Sequence, residues 1–210
     1  MNRILSKAAL AAGLALALAA CGPLIGVPEG DAPARFTLLP PDGIAGERLD
    51  ASLMVEEPAT SDALDGRRIA LTPSPLEFRY FKGARWTDRA PQMIQGLMID
   101  AFRGRVTDVG TENMPTAPDY RLQSRMVDFQ AIYDNGEGTA PKVRVTFDLK
   151  LFARGPMRLA ASERITADVR AAADRMPAIA DAFNRATQEA LRKTVDWATA
   201  AMREKAAPES

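Results

Sequence analysis

The chain has 210 residues, with 27 basic and 27 acidic side chains, one cysteine and no histidine. Without histidine it cannot build a Ser-His-Asp or Cys-His nucleophile, and it lacks the commonest metal ligand near neutral pH. A single cysteine excludes an internal disulfide, and the even charge balance gives no electrostatic case for nucleic acid.

Residues 1–20 read as a lipoprotein signal peptide rather than as fold. Arg3 and Lys7 mark a basic start without acids, and residues 8–20 are apolar throughout, the order found in export signals. As a helix that apolar run rises about 20 Å, short of the roughly 30 Å of a bilayer core. Leu18-Ala19-Ala20-Cys21 then forms a lipobox. Small residues fit a narrow peptidase cleft, and the cysteine supplies the thiolate that accepts lipid. The expectation is cleavage before Cys21, with covalent diacylglyceryl and N-acyl lipid on that residue and no other cofactor or metal. Two or more acyl chains hold a protein firmly, at about 0.8 kcal/mol per buried CH₂. Without residues 1–20 the chain has 25 basic and 27 acidic side chains, a net charge of −2. That balance offers no polybasic adhesion to anionic lipid, so the acyl chains must be the anchor. Gly22, where an Asp would signal retention at the inner membrane, favours the periplasmic face of the outer membrane by the sorting rule for lipoproteins.

Residues 21–35 read as the lipidated N-terminus and a flexible tether, broken by Gly22, Pro23, Gly26, Pro28, Gly30 and Pro33. The folded domain is predicted over 36–204, with a disordered tail at 205–210. Short strands are expected at 36–39, 52–55, 68–72 and 76–81, and Lys82-Gly83 is expected to turn the chain. Residues 89–105 read as a helix. Asp88 is its expected N-cap, Pro91 lies in the first turn, and Ile94, Leu97, Met98, Ala101 and Phe102 form one stripe. Residues 106–119 read as loop.

Three long strands follow. In 120–134 the apolar positions change parity, from Tyr120, Leu122 and Met126 to Val127, Phe129, Ala131 and Tyr133, which predicts a bulge or twist. In 142–151 Val143, Val145, Phe147, Leu149 and Leu151 alternate with polar residues, the pattern of a half-buried antiparallel strand. Leu159, Ala161, Ile165, Ala167 and Val169 mark the third. A long helix over 177–203 closes the chain, striped by Ile179, Phe183, Leu191, Ala198 and Met202. The fold class predicted is α+β: one mainly antiparallel sheet with two helices packed on it.

Reactive chemistry is sparse. No catalytic residue and no metal site can be assigned, and no phosphate-binding loop is present. Glu56-Glu57 is the available carboxylate pair for a hydrolase. Neighbours on a strand face opposite ways, however, and a glycosidase needs two carboxylates facing one cleft. The remaining candidates are interfacial. Phe78, Tyr80, Phe81 and Trp86 cluster closely and could line a lipid or partner groove or belong to the core. Trp197 lies beside the apolar stripe of the last helix, where a half-exposed Trp can mark an interface.

The run Arg68-Ile69-Ala70-Leu71-Thr72-Pro73-Ser74-Pro75, then Tyr80, then Arg85-Trp86-Thr87-Asp88 and an amphipathic helix, resembles the ABC-type transport auxiliary lipoproteins. Ala182-Phe183-Asn184-Arg185-Ala186 and Trp197 resemble that family's C-terminal helix. The resemblance covers roughly residues 36–202 behind the lipobox. It implies a non-enzymatic accessory of lipid transport by mammalian-cell-entry (MCE) systems, docking or completing a trans-envelope assembly at the outer membrane. The implied partners are an MCE-domain protein and its ABC transporter complex, with phospholipid and a second copy of the chain as further candidates. Tyr80, Arg85, Trp86 and Trp197 are the residues singled out for a partner or lipid interface. Two other readings compete: an adaptor for outer-membrane assembly or lipopolysaccharide export, and a carboxylate-dependent periplasmic hydrolase.

Overall fold

A computed structural model of the chain describes residues 32–44, 46–155 and 158–206. The predicted signal peptide, the Cys21 lipidation site, most of the tether and the last four residues lie outside the described residues. Its elements are β1 (Ala34–Phe36), β2 (Leu49–Val55), β3 (Arg68–Ser74), β4 (Glu77–Trp86), α1 (Ala90–Phe102), β5 (Val106–Gly110), β6 (Tyr120–Ile132), β7 (Lys142–Ala153), β8 (Arg158–Arg170) and α2 (Met176–Ala206). The α+β class is as predicted: eight strands form one mixed sheet, and two helices pack on it.

The long strands β6, β7 and β8 form an antiparallel meander. One edge of β6 is fully taken by β7. The other edge is shared, with β2 parallel to its first residues and β3 parallel to its last. β5 continues the sheet beyond β2, while β4 and then β1 continue it beyond β3. Antiparallel ladders therefore make up most of the sheet, and four short parallel pairings join its N-terminal part.

The predicted change of phase in β6 is a bulge. Met126 pairs with Phe147 and Asp128 with Thr146, so Val127 is the extra residue. Leu122, Ser124 and Met126 are buried before it and Phe129 and Ala131 after it. The inserted residue keeps the apolar positions on one face while the strand bends. All five apolar residues of β7 named above are buried, as alternation requires.

Three features depart from the sequence reading. Lys82-Gly83 does not turn the chain. β4 runs on to Trp86, and its pairing with β3 slips between Ala70–Tyr80 and Arg68–Arg85. Gly83, at φ 67°, lies in this irregularity, where the left-handed backbone suits glycine. Residues 106–110 are a strand, not a loop. Only Val106 of β5 is fully buried, so backbone pairing to β2 defines it rather than side-chain pattern. Leu159 is half exposed, because the β7–β8 register shifts between Leu151–Ala161 and Phe152–Leu159 and rotates it away from the core.

Smaller differences are local. The first strand is Ala34–Phe36, beginning two residues inside the expected tether and ending at the first residue of the expected strand. Beyond it the Leu39 N–H donates to Asn184 Oδ1 (2.8 Å) and Gln188 Nε2 to the Pro40 carbonyl (3.2 Å), which pins the segment to α2 rather than to a strand. α1 is capped at Arg89, one residue after Asp88, and ends at Phe102. α2 reaches Ala206, past the point where fraying was expected.

From Pro33 onward the chain is one compact unit with its own core. At its centre Trp86 of β4, Phe129 of β6 and Phe183 of α2 form a triangle. Their ring centroids lie 5.1–5.5 Å apart, the range of favourable aromatic contact. Trp86 thus belongs to the core. Two further ties join the helices to the rest. Gln95 of α1 donates to the Val55 carbonyl (3.0 Å). Arg105, nearly fully buried just past α1, reaches Asp196 and Thr199 of α2, each at 3.1 Å. Gly46 lies against that guanidinium, and a Cβ there would come within 2.5 Å of the Arg105 Cζ.

Phe183 has no solvent exposure, so its truncation leaves a cavity between helix and sheet. Phe183→Ala is expected to cost about 3–5 kcal/mol of unfolding free energy. Equilibrium urea unfolding of the two chains side by side measures it.

Candidate functional site

The sheet has two faces. One is covered by the helices; the other is solvent-facing and polar. Register ties the outer face together across five strands: Tyr80 opposes Ala70, Ala70 opposes Gln130, Gln130 opposes Arg144, and Arg144 opposes Asp168. Residues in register share a face.

Over β6–β8 this face is a lattice of matched charges. Arg144 donates to both oxygens of Asp168 (2.8 and 2.8 Å), Arg164 to both of Asp148 (2.5 and 2.8 Å), and Arg170 to both of Asp134 (2.9 and 2.8 Å). Thr146 and Thr166 share a hydrogen bond at 3.1 Å. The guanidinium of Arg144 holds the Asp168 carboxyl below its usual range, and Arg164 does the same for Asp148. Arg170, helped by Lys142, brings Asp134 down to about 2.

Over β1, β4 and β3 the outer face is different. Arg35 is in register with Arg85, and Arg85 with Arg68, so three exposed arginines stand side by side on neighbouring strands. Alternation along β4 sends Ala84 and Trp86 to the core and Arg85 outward. Arg68 lies over the Tyr80 ring, with Cζ 3.7 Å from the centroid, a cation–π contact. Tyr80 donates its hydroxyl to the Ala63 carbonyl (2.9 Å) and meets Phe78 edge-on at 5.4 Å. Phe78 is partly exposed and Leu76, at the tip of the β3–β4 hairpin, wholly so.

The residues singled out from sequence therefore separate. Tyr80 and Arg85 both lie on this outer face. Trp86 does not join them, since strand alternation turns its indole into the core, where it has no surface to offer a partner. Trp197 lies on α2, partly buried against the core and away from this face. Phe78, of the aromatic cluster noted in the sequence, lies on this face as well, and Arg35, Arg68 and Leu76, which the sequence reading does not assign to an interface, complete it. Arg35 falls in the stretch that reads as tether, and only strand register brings the arginines together.

Among the described residues the Glu56-Glu57 pair does not converge. Glu56 faces Arg121 (3.4 Å) and Gln123 (3.3 Å), whereas Glu57 pairs with Arg89 (3.1 Å), so the two carboxylates point into separate ion pairs. A 580 Å³ cleft between β2, β7 and the end of α2 is lined in part by Asp119, Tyr120 and Arg154. The Asp119 carboxylate there accepts from the Ser52 N–H (3.0 Å) and hydroxyl (2.7 Å), which lower its pKa. It joins β2 to β6. Among the described residues no group of acidic side chains is arranged to hold a metal ion, and no helix is long and apolar enough to cross a membrane.

The family model for the ABC-type transport auxiliary lipoprotein component matches residues 36–194. The chain belongs to this family. As an ABC-type transport auxiliary lipoprotein it is an accessory component of ABC transport and a membrane-anchored protein of the cell envelope. The crystal structure of protein XCC0632 from Xanthomonas campestris shares its fold, with a TM-score of 0.74 at 22% identity over 82% of this chain and 97% of that one. The crystal structure of an uncharacterized protein shares it too, with a TM-score of 0.62 at 16% identity over 80% of this chain and 99% of that one. Among curated proteins none matches.

The charge lattice has a pH signature. A carboxylate whose folded pKa is depressed stabilises fully above its ordinary value, 3.8 for Asp134, and loses that contribution as pH falls toward about 2. The thermal midpoint is expected to stay nearly level from pH 7 to 5 and to drop between 4 and 2. Asp134→Asn is expected to drop less over the same interval. Circular dichroism melts across that pH series measure both; because the pair is solvent-screened, the difference is small.

Proposed function

We propose that this auxiliary lipoprotein serves an MCE-type ABC lipid-transport system from the periplasmic face of the outer membrane, anchored by acyl chains on Cys21. It acts without catalysis, by docking or completing the assembly that carries lipid between the membranes. The observation that carries this reading is the family match over residues 36–194, on a domain whose exposed features suit contact rather than reaction. Phospholipid is too insoluble to cross water freely, so a shielded path must be held against a membrane. A tethered, rigid domain does this by raising the local concentration of its docking surface. In this reading Leu76 and Phe78, exposed at the hairpin tip beside Tyr80, supply apolar contact to the protein partner.

The experiment is affinity purification of the tagged chain from its native envelope after in-cell crosslinking. An MCE-domain protein is expected among the crosslinked products. Leu76→Ser combined with Phe78→Ser is expected to reduce its recovery severalfold, and Cys21→Ala to abolish acyl labelling and recovery with the outer membrane. Recovery of a barrel-assembly or lipopolysaccharide-export protein in place of the MCE-domain protein contradicts the proposal.

A further inference from the structure

We infer that the row Arg35, Arg85 and Arg68 seats the domain on anionic phospholipid headgroups of the bilayer to which the chain is tethered. The inference rests on the family's membrane anchor and not on the identity of the protein partner.

Directly opposed like charges on neighbouring strands are unfavourable. With strands about 4.8 Å apart, the three arginines cross the sheet within roughly 10 Å. Among the described residues none of the three has a carboxylate within ion-pair distance. Nearby acids are committed elsewhere: Asp88 to Arg67 (3.2 Å) and Asp65 to Arg89 (3.0 Å). The same outer face shows the alternative arrangement, since Arg144, Arg164 and Arg170 each hold an aspartate through two hydrogen bonds. Arg68 is further oriented by the Tyr80 ring. Among the described residues the row thus concentrates positive charge with no acidic partner, and guanidinium groups match phosphate oxygens in geometry as well as in charge.

The tether selects the ligand. Arg35 lies in the first strand of the domain, 14 residues after Cys21. At about 3.3 Å per residue that segment reaches at most roughly 46 Å, so the row is held within that distance of the anchored residue and can come down onto the bilayer surface. Headgroup phosphates are the anions present there at high local concentration. The contact would lay the outer face of β1–β4–β3 against the membrane and restrict how the domain is presented to its partner.

The test uses a chain beginning at residue 21 with Cys21→Ser, which keeps the whole compact unit and removes the acyl anchor. It is sedimented with vesicles of phosphatidylcholine alone or with 30% phosphatidylglycerol. Binding to the anionic vesicles, absent from the neutral ones and lost at high salt, is expected. Arg→Gln at each of the three positions should weaken it about fivefold, and the triple variant roughly a hundredfold. Arg164→Gln, on the paired part of the same face, should leave binding unchanged. Millimolar inorganic phosphate should not compete. The substitutions relieve like-charge opposition but remove the Arg68–Tyr80 contact, so the triple variant should stay folded and melt close to the parent. Equal binding to both vesicle types by the parent chain overturns the inference without needing any variant. So does undiminished binding by a folded triple variant, or full displacement by inorganic phosphate. Loss of vesicle binding with MCE-protein recovery intact separates this inference from the proposed function.

Discussion

The sheet can bury only one of its faces, and the rest of the structure follows from how that face is closed. The closing contact is the triangle of Trp86, Phe129 and Phe183, which joins the N-terminal hairpin, the central strand and the long helix through three buried rings. Around it β7 contributes an unbroken apolar row, and α2 lays down Ile179, Ala186, Ala190, Leu191, Val195 and Ala198 without solvent exposure beyond a trace. Thr194 and Thr199 join this dry surface by donating their hydroxyls to carbonyls one turn back, each at 2.8 Å. Burial of polar groups is thereby kept compatible with a helix that lies flat on the sheet.

Because both helices lie on one face, the other must be satisfied by water and charge. It is satisfied in two ways. Over the meander, basic and acidic residues oppose one another strand by strand. Over β1, β4 and β3, arginine opposes arginine, and aromatic side chains continue the face toward an exposed hairpin tip. An envelope lipoprotein has two things to meet, its membrane and its transport partner. The unmatched part of this face carries a cationic row near the point where the chain enters the domain, and apolar side chains at the far end of the same hairpin.

Much of the fold was legible because burial writes a period into sequence. The five alternating residues of β7, the parity change of β6 that became the Val127 bulge, and the stripe of α2 all reflect one wet and one dry side. What was not legible depends on backbone pairing. β5 carries too few apolar residues to signal a strand and exists because β2 offers it an edge. The slip around Gly83 looks like a turn until the β3 partner is known, and Leu159 leaves the inward row through a register shift on β7. The candidate site shows the same division. Alternation alone separates Arg85 from Trp86, so their opposite orientations could have been read from the chain. That Arg35, Arg68 and Arg85 stand together could not, because residues 33 and 50 positions from Arg35 become its row only through pairing. A net charge of −2 averaged over the chain conceals such a row.

Through their shared aromatic contact α2 and the sheet form a single cooperative core. Native-state amide hydrogen exchange as a function of denaturant tests it most directly. The amides of β6, β7 and the middle of α2 around Phe183 should exchange through one common opening, with the free energy of global unfolding, while those of β1 and β5 open more readily. Exchange of the α2 amides through a separate, lower-energy opening that leaves β6 and β7 protected would contradict it.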